Sequence, residues 1–520
     1  MTATGQDLPG TDGAGDARAA EGDAPSGGSS LFGRGLLYVV VWALQLVASS
    51  LVSPILAHVL GPTQFGALAS AIALYQVLGV LAVVGLDQAI VLQRSEDGHD
   101  RIARGLLTIA ILVAFVVTCL ALLSAPLWRD ALGFSDTHVL VIAVILWTGP
   151  SAAVQVMLAL LLAQDRLRVF SIVSVISAVG GSFIGLILLG TIHNDATTYA
   201  WGGVVCQFLA MGLGLAVTRP SLRNLPGWAT IKRAMVFGIP LTLGNLAYFV
   251  LNAGDRIVVQ RLLGSAEVGR YQVAYVVGSA VILLLTFTSQ AWTPHFAALR
   301  DDAARWHLAM RSRNELYRLL VPIVLAVTLV SPFALPILAP ASFHPQELSI
   351  VVFLVALTAY PVAASGASGR LLVVHRRTVA LGGIAGIGAI VNIAANFALV
   401  PVMGIAGSAV ATTVSYSIVA GLQLIALPRR PAWRGAPVGV IAAILLSLVV
   451  AGASLIPPQT MTWNLVRLAA AAACLPWFLL RLRAARRSPQ DVPRRARRRA
   501  GEPLEEFGAR LASGEESEND

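Results

Sequence analysis

The stretch His58-Val-Leu-Gly-Pro-Thr-Gln-Phe-Gly66, a mostly apolar run, and then Gly85-Leu-Asp-Gln-Ala-Ile-Val-Leu-Gln-Arg94 decide the fold of this chain. Two long apolar segments, about 35–60 and about 66–86, meet at the Gly61-Pro62 turn. Each reaches the roughly 20 residues that a helix needs to cross a bilayer. A turn this tight has no room for a domain, so the pair reads as a transmembrane hairpin. The turn recurs: Leu60, Gly61 and Gly66 return as Leu263, Gly264 and Gly269, each 203 residues on. That repeat sets the architecture.

Composition points the same way. Of 520 residues, 56% are hydrophobic and 12% charged, against about a quarter charged in ordinary soluble domains. The net charge of +10 does not argue for nucleic acid as a partner. The cations sit in short loops between apolar spans rather than on one soluble face. Cys119, Cys206 and Cys474 lie in separate apolar segments, with neither metal-ligand spacing nor a disulfide framework, and read as buried free thiols. Residues 1–30 are rich in Gly, Ala and Asp. No basic stretch precedes a short apolar core there, so they read as a disordered tail, with the span near Gly35 as an uncleaved signal-anchor.

Beyond the hairpin, twelve more apolar spans are expected, near 105–123, 139–162, 170–190, 198–217, 234–254, 268–289, 319–338, 348–371, 379–400, 407–425, 437–455 and 463–480. The fold class is therefore an all-α polytopic membrane protein of about 14 transmembrane helices. The loops after the even-numbered spans through the twelfth carry 20 Arg or Lys, and the opposite side carries 5. That bias places both termini in the cytoplasm and the two Gly turns outside. Pro150 and Pro361 lie mid-span 211 residues apart, and Leu161-Leu162 and Leu371-Leu372 lie 210 apart. Six spans per repeat is an even number, so the repeats share orientation and are related by an axis along the membrane normal. The expected divisions are a tail over 1–30, an N-lobe over 31–218 (spans 1–6), a C-lobe over 219–427 (spans 7–12), accessory spans 13–14 within 428–482, and a basic-then-acidic cytoplasmic tail over 483–520. Residues 295–318 read as an amphipathic helix on the cytoplasmic surface.

Lys232 is the only lysine, and no Gly-rich phosphate loop precedes it, so the chain reads as having no ATPase site of its own. It shows no His-Glu-x-x-His and no Gly-x-Ser-x-Gly. No outward loop exceeds roughly fifteen residues, too little ordered backbone for an extracytoplasmic active site. The reading is a transporter rather than an enzyme, with no cofactor and no metal. A membrane polysaccharide polymerase or glycosyltransferase would need a large outward loop. A non-transporting scaffold would need its interior packed shut.

Asp255-Arg256 is the sharpest feature inside the lipid. Arg256 lies eight residues before Gly264, or about 12 Å into the bilayer at roughly 1.5 Å per residue. A charge there costs at least ~2.5 kcal/mol unless paired or wet. Two readings stand: an anion-contacting arginine lining a cavity between the halves, or an ion pair that staples helices. Arginine's planar fork suits phosphate oxygens. Asn245 and Asn252 on span 7, Gln290 on span 8, and Asn392 and Asn396 on span 11 add donors and acceptors. They suggest a polar interior in the C-terminal half, although any one of them alone can be a helix–helix hydrogen bond. His58 and Arg261 occupy equivalent repeat positions, 203 apart, at the expected depth of the outer headgroups, where snorkelling is the favoured role. Asp87 lies at a cytoplasmic helix end and reads as solvated.

The turn from Leu60 to Gly66 followed by Gly85-Leu-Asp-Gln-Ala-Ile90 resembles the N-terminal hallmark of the polysaccharide-biosynthesis exporters. These are the oligosaccharide flippases of the multidrug/oligosaccharidyl-lipid/polysaccharide (MOP) superfamily. Asp255-Arg256 through Leu263-Gly264 and Val268-Gly-x-Tyr271 is similar to that family too. So are Ala291-Trp-Thr-Pro294 and the run from Asn392 through Pro401, Gly404 and Gly407 to Thr412. His58 is a departure, because these proteins often carry Arg before the Leu-Gly turn. The resemblance spans about 32–425. It implies two six-helix lobes around a central cavity, alternating access, and passage of a polyprenyl-diphosphate-linked oligosaccharide to the outer leaflet of a bacterial cytoplasmic membrane. It implies that Arg256 attracts the diphosphate or acidic sugars. Membrane lipids, and glycosyltransferases or a polymerase of the same pathway, would be the other partners. A lipid II flippase or a cation-coupled drug antiporter would share the same core.

Overall fold

The computed structural model describes residues 27–299, 301–427 and 435–487; side-chain surroundings are described from residue 51 onward, apart from 283–284, 286–295, 297–298 and 485–487. Sixteen α-helices and short 3-10 or π turns make up the described chain, and no strand occurs among the described residues. They are α1 (Gly27–Val83), α2 (Leu86–Asp97), α3 (Asp100–Trp128), α4 (His138–Ala163), α5 (Leu167–Val175), α6 (Gly181–Thr191), α7 (Ala196–Thr218) and α8 (Trp228–Leu263). There follow α9 (Ser265–Ala298), α10 (Asp302–Leu338), α11 (Ser349–Leu357), α12 (Ala359–Val374), α13 (Thr378–Met403), α14 (Ile405–Ala426), α15 (Val438–Ala453) and α16 (Met461–Arg487). Helix α1 begins inside the segment read as a disordered tail. The remainder of that tail, most of the C-terminal tail, Gln290 and the Ala291-Trp-Thr-Pro294 motif lie outside the described residues or side chains.

Eleven helices among the described residues are long and apolar enough to cross a membrane. Of the fourteen expected spans, the first two merge into one kinked helix, α15 has only 16 residues, and α9, whose 34 residues cover the eighth, lies partly outside the described side chains and is not among the eleven. The chain is a multi-pass membrane protein. Helix α3 shows why: Leu112, Val116, Leu120, Leu123 and Leu127 stand exposed at helical spacing, a ridge that only lipid would solvate well.

The hairpin turns are made by glycine. Gly61 breaks α1 at φ 67°, ψ 176°, and Gly264 separates α8 from α9 at φ 88°, ψ 173°. This is a region that side chains with a Cβ rarely enter. The two copies of the turn therefore share a backbone as well as a sequence. They also pack on each other. A Cβ on Gly66 would sit 1.7 Å from the Ser265 carbonyl oxygen, and one on Gly269 would sit 2.2 Å from the Pro62 carbonyl oxygen. The contact is reciprocal, as a two-fold relation between repeats requires.

Helices α1–α7 pack mainly among themselves, with α4 against α1, α3 and α7. Helices α8–α14 do likewise, through α8 on α13, α13 on α14 and α9 on α10 and α11. The halves meet through α1 on α8 and α9, and α2 on α8. Helices α15 and α16 lie against α10, outside that core. At the end bearing the Gly turns, a cluster including Leu56, Leu68, Val268, Tyr271 and Val352 seals the halves together. At the arginine-rich end, Gly85 meets Gly238, where a Cβ would lie 2.5 Å from the Gly238 carbonyl oxygen.

The surface helix expected over 295–318 is not a separate element. Residues 302–318 form the first turns of α10, continuous with the ninth expected span. Trp306 is only 1% exposed and packs among Phe296, Leu371, Leu372 and Tyr416. Its apolar face covers protein rather than lipid headgroups.

Candidate functional site

A cavity of about 1090 Å³ lies between the halves, near the upper end of the ~300–1,000 Å³ typical of ligand pockets. Its C-terminal wall is built by α8 and α9, whose Tyr248, Asn252, Arg256, Gln272 and Tyr275 face it. Its N-terminal wall comes from α1, α4, α5 and α7, including Gln76, Trp147, Ser151, Gln155, Ser174 and Gln207. Asp87 and Gln88 border it at the arginine-rich end.

Arg256 is 7% exposed and Asp255 is fully buried. The two are neighbours on one helix, and the Arg256 Nη1 lies 3.0 Å from Asp255 Oδ1. Arg256 Nε donates to Gln272 Oε1 at 2.7 Å, and Nη1 donates to the Asn252 carbonyl at 3.0 Å. The guanidinium stands 4.2 Å from the Tyr275 ring centroid. Asp255 accepts the Tyr271 hydroxyl at 2.6 Å and the Arg256 backbone N–H at 2.9 Å. Such saturation is what allows a charge pair to stand in a low-dielectric interior. The pair thus ties α8 to α9 through Tyr271 and Gln272, and the Arg256 side chain lines the cavity.

Asn252 is also at the cavity, its Nδ2 bonded to the Tyr248 carbonyl and its Oδ1 accepting the Tyr416 hydroxyl at 2.8 Å. The other expected residues are placed elsewhere. Asn245 is exposed and does not line the cavity. Asn392 and Asn396 are fully buried between α13 and α14. Asn392 donates to Thr412 Oγ1 at 3.3 Å, and Asn396 donates back to the Asn392 carbonyl at 2.8 Å. Those two serve helix packing. His58 and Arg261 are exposed beside the turns and away from the cavity. Pro150 and Pro361 sit within α4 and α12. Among the described residues no cluster of His, Cys, Asp or Glu could hold a metal.

The polar interior expected in the C-terminal half is largely on the opposite wall. Along α4, Trp147, Ser151 and Gln155 follow at intervals of four and share a face. The Tyr75 hydroxyl bonds Ser151 Oγ, and its ring lies 4.9 Å from that of Trp147. Between α5 and α6 the chain forms a π turn, Ile176–Gly180, a feature frequent at functional sites. Gln207 Nε2 donates to the Ser177 hydroxyl at 2.9 Å and to its carbonyl at 3.2 Å. Gln260 was also missed. It accepts the Ser70 hydroxyl at 3.1 Å and donates to the Gly133 carbonyl at 2.9 Å and to Ser265 Oγ at 2.8 Å, stitching the halves together beside the Gly turns. The available signal was the four-residue spacing of polar groups in otherwise apolar spans.

The model of the polysaccharide biosynthesis protein family matches residues 55–346, more than half of the chain. The chain belongs to that family. Among solved structures it is similar to the lipid II flippase MurJ in an inward closed conformation, at 14% identity and a TM-score of 0.66, covering 87% of this chain and 99% of that one. It is also similar to an inward-facing multidrug-resistance MATE family transporter of the MOP superfamily, at 13% identity and a TM-score of 0.58, covering 79% of this chain and 95% of that one. A MATE transporter from Vibrio cholerae gives 13% identity and a TM-score of 0.50, over 76% of this chain and 97% of that one. This polysaccharide biosynthesis protein therefore has the MOP-type transporter fold. Among curated proteins none matches it by sequence.

Proposed function

We propose that this family member is a membrane flippase that carries polyprenyl-diphosphate-linked oligosaccharides across the bacterial cytoplasmic membrane for cell-surface polysaccharide synthesis. The observation that carries this reading is Arg256, a nearly buried cation in the wall of a large cavity between two helical halves. A diphosphate is the anion that an arginine fork suits. The cavity would take the sugars and the polyprenyl chain would stay in the bilayer. Lobes 31–218 and 219–427 would rock about the seam at α1, α8 and α9, as in other parallel-repeat transporters. With the Gly turns facing outward, their close contact would be the seal on that side. Transport needs no reaction at the cavity, and the residues there hold and release rather than catalyse.

Two labelling results are expected, in a chain freed of its own cysteines. A cysteine at Thr63 reacts with an impermeant thiol reagent added to intact cells, and one at Arg376 does not; both side chains are exposed. A cysteine at Gln155 reacts with a small permeant reagent and is shielded at least about fivefold by added polyprenyl-diphosphate oligosaccharide. Labelling of Arg376→Cys from outside would reverse the orientation. Unchanged labelling of Gln155→Cys would remove the cavity as the substrate's seat.

A further inference from the structure

Among the described residues lining the cavity, Arg256 and Asp87 are the only members of the Asp, Glu, Lys, Arg and His set. The N-terminal wall, opposite Arg256, carries amides and hydroxyls instead: Gln76, Gln155 and Ser174, with Gln207 and Ser177 bonded to each other and Ser151 bonded to Tyr75. Beside them stand the paired rings of Tyr75 and Trp147. The Trp147 indole N–H is buried and has no hydrogen-bond partner among the described residues. Gln155 is exposed into the cavity. The π turn widens α5 into α6 at this wall, and Gln207 pins it.

From this division we propose that the N-terminal wall is a saccharide subsite for uncharged sugars, while Arg256 holds the diphosphate. The inference rests on the flippase reading above and goes beyond it by naming the class of glycan. Sugar hydroxyls both donate and accept, and so do amides and hydroxyls. The C–H faces of a sugar ring are apolar and suit an exposed aromatic face. A uronic acid carboxylate entering this wall would leave water without meeting a cation, and an unpaired buried charge is strongly disfavoured. Arg256 cannot serve it, because its guanidinium is already shared among Asp255, Gln272 and the diphosphate. Asp87 at the arginine-rich end would repel it.

The test uses the full chain in proteoliposomes. Two polyprenyl-diphosphate trisaccharides are compared that differ only in the terminal sugar, a hexose in one and the matching hexuronic acid in the other. The neutral lipid is expected to flip at least about tenfold faster. Gln155→Arg, which places a cation in the wall, should narrow that ratio at least about threefold, chiefly by speeding the acidic lipid. Gln155→Asn should keep the preference. Equal rates for the two lipids on the wild-type chain, or a faster acidic one, would overturn the saccharide assignment and leave the flippase reading standing. If neither lipid moves, both fall.

Discussion

Asp255→Asn combined with Arg256→Gln is expected to leave the protein near its normal abundance in the membrane while lowering flipping of a diphosphate-linked oligosaccharide by at least about tenfold. Arg256 touches Asp255, Gln272, the Asn252 carbonyl and the Tyr275 ring. Truncating it alone to Ala leaves fully buried Asp255 with the Tyr271 hydroxyl as its side-chain partner. Breaking a buried pair in this way costs about 3–5 kcal/mol, so Arg256→Ala should lose abundance as well as transport. The double variant removes both charges and retains hydrogen-bonding groups, which separates the two roles. A charge-assisted contact to the diphosphate is worth about 1.5–3 kcal/mol, or roughly 10- to 100-fold in transport. Arg256→Lys keeps the charge without the planar fork and should fall between. The rate is measured per inserted molecule. Wild-type flipping by the double variant would reduce Arg256 to a helix-packing residue.

The next largest effect is expected at the Gly seam. A Cβ on Gly66 would meet the Ser265 carbonyl oxygen at 1.7 Å and the Gly269 nitrogen at 2.5 Å. Both are backbone atoms and cannot swing aside. Gly66→Ala must therefore move the halves apart, which also strains the Ser70 to Gln260 hydrogen bond. Ser70 is fully buried in that seam. In a chain freed of its own cysteines, Ser70→Cys should be protected from impermeant reagent, and adding Gly66→Ala should expose it. Transport should drop at least about tenfold, because the end bearing the Gly turns no longer seals. Gly79→Ala on the same helix meets open space and should change neither. Normal transport and continued protection with Gly66→Ala would show that the turns do not form a gate.

The parts of this fold that were legible in the sequence were those fixed locally. Gly61 and Gly264 announced turns because their backbone is one that other residues avoid, and their 203-residue spacing announced the repeat. Arg256 announced itself because a lone cation in an apolar span must find partners. What the sequence withheld was which helix faces meet. Asn392 and Asn396 share a face with each other, but that face turned to α14 rather than to the cavity. Trp147, Ser151 and Gln155 share a face as well, and only assembly of the two halves shows that it looks across at Arg256. Helical periodicity specifies a stripe and leaves its partner open. The same gap explains residues 302–318, whose amphipathic stripe covers α12 and α14 side chains instead of a membrane surface.

The most direct test of the central claim is flipping by the purified wild-type chain. Vesicles carry a fluorescent polyprenyl-diphosphate oligosaccharide in both leaflets, and an impermeant glycosidase is added outside. With the protein inserted, cleavage of the head groups should run to completion, whereas protein-free vesicles should stop at the outer-leaflet fraction. A labelled ordinary phospholipid in the same vesicles should stay where it is. Cleavage that stops at the same fraction with and without protein, or equal movement of the phospholipid, would contradict the account.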